Sequence, residues 1–152
     1  MIKLIDLIKN INNIRYELKD NLLIIYNLNN DNKIEVINEI YKYEDSYSDE
    51  YIVSFATQHC HFEDDCDQVF EYINNIITDN YLPIEFFLND KDLFGGELSR
   101  DEYDNISIEV LVKHFGCNED YILNLFYEIH SWSGTYDIER RPVISLKELK
   151  NA

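Results

Sequence analysis

Basic residues are scarce in this chain: 13 Lys and Arg stand against 30 Asp and Glu, for a formal net charge of −17. A protein of that sign repels phosphate backbones and anionic lipid, which argues against direct nucleic-acid or membrane-surface binding. It attracts a basic partner and speeds the encounter, although the same charge also keeps a small protein in solution. Cysteine is sparse as well. Cys60, Cys66 and Cys117 are odd in number and have no framework spacing, which excludes a disulfide scaffold and points to reduced thiols in a cytoplasm. Long apolar runs are missing, so no stretch approaches the length of a membrane span. The opening MIKLIDLIKNINNIRYELKD is broken by charge every few residues and has neither an apolar h-region nor a small-residue cleavage site, so the expectation is a cytoplasmic chain without a signal peptide. Glycine and proline number only 4 and 2, and no linker, repeat or second composition regime divides the chain.

What is present suffices for a folded domain. The chain has 152 residues, 45% of them hydrophobic and 14% aromatic, and the expectation is one α+β domain over 1–152, mainly antiparallel sheet with amphipathic helices packed on it. Ile2, Ile5, Ile8, Ile11, Ile14 and Leu18 recur at helical spacing and predict a helix over 2–19. LLIIYNL at 22–28 and KIEVINEIYKY at 33–43 read as strands about an Asn/Asp turn, the second run also fitting a helix. EDSYSDE at 44–50 reads as a loop, and YIVSFATQHCHF at 51–62 as one strand. Asp64 or Asp65 can cap a helix whose apolar face is Cys66, Val69, Phe70, Ile73, Ile76 and Ile77. A strand over 83–88, a turn at 89–92 and a return strand at 93–99 follow, with Gly95-Gly96 marking a bulge or a close backbone approach. A helix over 106–115 stopped by Gly116 comes next, then a helix from Asn118 through Phe126. The chain finally turns at Ser133-Gly134 into a short extended piece, TYDIE.

The densest feature is acidic. Residues 63–104 hold thirteen Asp and Glu, opposed only by Lys91 and Arg100, and such clustering costs stability through self-repulsion. Glu63, Asp64, Asp65, Asp67, Asp90, Asp92, Glu97, Asp101 and Glu102 are the candidate partner-binding residues. His59 and His61 alternate on a strand, which puts both rings on one face in a geometry usable for metal, with Glu63, Asp64, Asp65 or Cys66 nearby. Zinc sites usually show two spaced ligand pairs, and only one pair is here, so ordinary polar roles are favoured and no metal is assigned. The acidic surroundings of Cys60 and Cys66 oppose a reactive thiolate. No pair of carboxylates has the opposed environments that acid–base catalysis needs, and no catalytic residue is assigned. Glycines 95 and 96 make no phosphate loop, because no Lys-Ser/Thr follows them. Glu85, set among apolar residues in LPIEFF, reads as the outward position of a half-buried strand, with an inward, cation-paired position as the alternative. Trp132, the single tryptophan, reads as core, or else as an interface anchor with Tyr127 and Tyr136.

The segments FATQHCHFEDD at 55–65, IEFFLNDKDLFGGELSR at 84–100 and EIHSWSGTYDIER at 128–140 give a small, very acidic chain that resembles the bacterial immunity proteins of polymorphic toxin systems, including the contact-dependent growth inhibition type. The likeness spans most of 51–141. It implies a protein that is not an enzyme and needs no cofactor, and that binds a cognate basic toxin domain, often a nuclease, over or beside its active site. It carries over no catalytic residues. Two other readings stay open: a metal-binding module or metal-dependent enzyme built on His59 and His61, and an adaptor domain for some other basic protein.

Overall fold

The structure, a computed structural model, describes residues 1–115 and 125–143. Its chain forms two compact units, Met1–Thr78 and Asp79–Ala152, each with its own sheet and core. The fold is α+β and both sheets are antiparallel throughout.

The first unit opens with α1 (Ile2–Ile8), followed by β1 (Ile14–Lys19), β2 (Leu22–Asn27), β3 (Lys33–Tyr43), β4 (Ser46–Phe55), β5 (Gln58–Glu63) and α2 (Cys66–Ile77). The strands form a simple meander, β1-β2-β3-β4-β5. The helix expected over 2–19 therefore ends at Ile8. Asn13 takes a left-handed φ of 62°, and IRYELK then pairs in register with β2 (Tyr16 with Ile25, Leu18 with Leu23), so cross-strand pairing overrides the helical spacing. The loop expected at 44–50 shrinks to the Glu44-Asp45 turn, because Ser46 onward continues the ladder with β3. The single strand expected over 51–62 is a hairpin. It turns at Ala56-Thr57 without glycine or proline, Ala56 itself adopting φ 51°. One sheet face carries Leu23, Ile25, Ile34, Val36, Val53 and Phe55, all buried, and joins Leu4 and Ile8 of α1 and Val69, Ile73 and Ile76 of α2 in the core.

The second unit contains β6 (Tyr81–Leu88), β7 (Lys91–Ser99), α3 (Arg100–Asp104), α4 (Ile108–Phe115), β8 (Leu125–Ile129) and β9 (Ile138–Pro142), with strand order β7-β6-β8-β9. Leu82, Ile84, Phe86, Leu98, Leu125, Tyr127 and Ile129 cover one face and pack with Ile108 and Leu111 of α4. The helix expected from Asn118 is overturned where it can be seen: residues 125–129 are strand. LFYEI alternates buried Leu125, Tyr127 and Ile129 with half-buried Phe126 and Glu128, a period of two. Residues 118–124 and Gly116 lie outside the described residues. The strand irregularity falls at Phe86/Phe87, where Phe86 pairs with Phe94 and Phe87 with Asp92, and not at Gly95-Gly96. Gly96 faces α4, where a methyl group would stand in ordinary contact with His114 Nδ1 at 3.5 Å, so no close approach demands glycine there. The short α3, which periodicity does not reveal, is closed by a capping box between Ser99 and Glu102.

Candidate interaction surface

The surface with most to offer a partner is the far end of the β3–β4 hairpin. β2 pairs with β3 only as far as Ile37, and β5 pairs with β4 only back to Glu50. From Ile40/Asp49 to Tyr43/Ser46 the ribbon therefore stands two strands wide. A two-stranded ribbon is marginal on its own. This one also exposes large apolar groups, Ile40 at 70% and Tyr47 at 73%, on the side that continues the core face of the sheet. With Ser48, Asp49 and Asp64 these two residues line an open concavity of about 530 Å³.

Carboxylates occupy both faces of the arm: Asp49 shares the face of Ile40 and Tyr47, whereas Glu39 and Glu50 leave the opposite face together with Glu63. Glu39, Glu44, Asp45, Asp49 and Glu50 lie on the arm, Glu63 and Asp64 end and follow β5, and Lys42 is the only lysine or arginine among residues 39–64. Glu39, Glu50 and Glu63 form one row across three strands, each directly opposite the next. Like charges in that arrangement repel. Two local contacts relieve the row: the Tyr41 hydroxyl donates to Glu39 at 2.7 Å, and His61 Nδ1 lies 2.6 Å from Glu50 Oε1. His61 is thus engaged with a carboxylate. It shares a strand face with His59, their rings 5.4 Å apart edge to face, but neither belongs to the group of three convergent ligand-bearing side chains found among the described residues.

The nine sequence candidates divide between the units. Glu63 and Asp64 are exposed beside the arm. Asp65 is the N-cap of α2, accepting the backbone N–H groups of Asp67 (3.0 Å) and Gln68 (3.1 Å). Asp67 pairs with Lys3 Nζ at 2.9 Å, and that hydrogen bond holds the lysine's pKa above its ordinary value. In the second unit Asp90 sits in the β6–β7 turn, 3.4 Å from Arg140. Asp92 and Asp101 are exposed, and Glu97 is half-buried on β7. Glu102 is committed to its helix. Its carboxyl is held down at about 2, chiefly by the Ser99 backbone N–H, with Lys113 Nζ (3.1 Å) assisting and the His114 ring nearby. Trp132 is 4% exposed and belongs to the interior, so it is not an interface anchor. Tyr127 is buried beneath the sheet. Neither Cys60 nor Cys66 is in a disulfide among the described residues, and Cys66 donates to the Tyr51 hydroxyl at 3.3 Å.

The arm residues Glu39, Ile40, Tyr47, Asp49 and Glu50 escaped the sequence reading. Their signal was the period-two alternation of SYSDEYIVSF, obscured by the polar start of the run. An antiparallel α+β fold with an acidic arm that exposes apolar side chains along one face is the class this geometry defines. No known protein family, curated protein or solved structure matches the chain.

Proposed function

We propose that this protein is an immunity-type inhibitor that binds a basic toxin domain, with the β3–β4 arm as its principal docking element. The observation that carries the reading is a two-stranded projection that exposes two apolar side chains, Ile40 and Tyr47, on one face beside Asp49 and carries Glu39 and Glu50 on the other. Interfaces commonly combine apolar anchors with a polar rim, and Tyr is favoured among the anchors. The carboxylates would pair with Lys and Arg that otherwise hold phosphate, so a nuclease is the natural target class, and inhibition follows from occupancy without catalysis. Three cysteines without framework spacing favour action in the cytoplasm. Among the described residues no helix is long and apolar enough to cross a membrane.

The test is a pull-down from source-cell lysate with the tagged full-length chain, beside an Ile40→Asp/Tyr47→Asp variant, read by mass spectrometry. One basic toxin-like chain recovered at near-equal stoichiometry by the wild type, and lost from the variant, is the expected result. A basic partner of another kind would make the protein an adaptor. Equal recovery by both forms would remove the arm from the interface.

A further inference from the structure

We propose that Glu85, Glu128 and His130 form a binding site for a divalent first-row transition ion, with Zn²⁺ as the working probe. β6 and β8 are antiparallel, and Glu85 and Glu128 are direct partners in their register, so both carboxylates leave the same face of the sheet. His130 lies two residues beyond Glu128, and its backbone N–H bonds to the Pro83 carbonyl at 2.9 Å, which carries the strand pairing one step further and keeps the ring on that face. One ligand atom from each of the three side chains falls within 4.8 Å of the others, and all three residues are half-buried.

Two features mark the cluster as incomplete on its own. The Glu85 side chain makes no hydrogen bond or ion pair among the described residues, although it faces a second carboxylate directly, an arrangement that is destabilising without a cation. His130 Nε2 is buried without a hydrogen-bond partner, 4.0 Å from Glu128 Oε2, too far for a direct bond. Arg140 answers only part of the charge. Its Nε donates to Glu128 Oε1 at 2.8 Å, its Nη1 reaches Asp90 at 3.4 Å, and its guanidinium stacks 3.6 Å over the Phe87 ring. That arrangement fixes one oxygen of Glu128 and leaves Oε2 toward the histidine.

An ion at the centre would take one oxygen from each glutamate and Nε2 from His130. Such ions sit about 2.0–2.2 Å from nitrogen and carboxylate oxygen, so donors on one ion lie at most roughly 4.4 Å apart, and small side-chain rotations bring this cluster into range. Glu128, His130, Asp137 and Arg140 also border a cavity of about 210 Å³, which leaves room for water at the remaining coordination position. Asp137 is no fourth ligand through Oδ1, which already accepts the Ser131 N–H (2.7 Å) and hydroxyl (2.8 Å). The mixed nitrogen and oxygen donors favour a transition ion over Ca²⁺ or Mg²⁺.

The experiment is calorimetric titration of Zn²⁺ into the chelator-stripped full-length chain, with Glu85→Gln, His130→Ala and a His59→Ala/His61→Ala variant. One equivalent bound by the wild type, at least about tenfold weaker binding in the first two variants and unchanged binding in the third are expected. No saturable binding by the wild type overturns the site. Binding indifferent to Glu85 and His130, or abolished only with His59 and His61, does the same. If His130→Ala does not fold, Mn²⁺ broadening of the wild-type amide resonances decides. Loss centred on residues 85, 128 and 130 supports the site, and loss centred elsewhere overturns it.

Discussion

At the scale of single residues, acidic composition hides several different jobs. Glu102 shows one of them. Its carboxylate accepts the Ser99 N–H and the Lys113 ammonium, and its pKa falls from 4.5 to about 2. A group whose folded pKa is depressed stabilises the fold above its unfolded value, and that stabilisation is lost as pH drops from about 4.5 through about 2. Glu102→Gln should therefore cost on the order of 2 kcal/mol in urea unfolding at neutral pH, and the gap from wild type should close as pH approaches the lower bound. A gap of constant size across that window would show that the charge is not what matters. Asp64 and Asp65 separate two further jobs between neighbours. Asp65→Ala removes an N-cap and should destabilise the protein by about 1 kcal/mol. Asp64→Ala, at an exposed position, should stay within about 0.5 kcal/mol of wild type yet weaken partner binding. Urea unfolding and a binding titration on both variants check this, and equal loss of stability in the two would contradict it.

At the scale of elements, legibility followed how local the cause was. The α2 helix could be read because its cap, Asp65, and its stripe, Val69, Ile73 and Ile76, lie within one stretch. The hairpin at β6 and β7 was equally plain, its turn built on Asn89 and Asp90 at positive φ. The failures share a different cause. Ile11, Ile14 and Leu18 continue the spacing of α1, and only pairing with β2 makes 14–19 a strand. Leu125 and Phe126 fit a helix until β6 claims them. Ala56 turns a hairpin with no glycine to announce it. The arm was lost for the same reason, since SYSD looks like a loop unless its partner, IYKY, is known. Of the candidate surface, then, Glu63 and Asp64 were legible from charge density, whereas Ile40, Tyr47 and Asp49 needed the β3–β4 register. Glu85 stood out in sequence as a lone carboxylate in an apolar run, but its neighbours Glu128 and His130 are about forty residues away and come together only through the β6–β8 ladder.

At the scale of the whole molecule, the charge of −17 acts on every encounter. A field of that sign concentrates basic partners near the surface, and added salt screens it. The acids also repel one another, and a basic partner seated on the β3–β4 arm would relieve that repulsion. The measurement that tests this most directly is the association rate of the captured partner at low and high ionic strength. It should be made with the wild type and with a variant carrying Glu44→Gln, Asp45→Asn, Asp49→Asn and Asp64→Asn. The wild-type rate should fall at least about tenfold with salt, while the variant should bind more slowly at low salt and respond less to it. A wild-type rate indifferent to salt, matched by the variant, would contradict steering by the acidic arm.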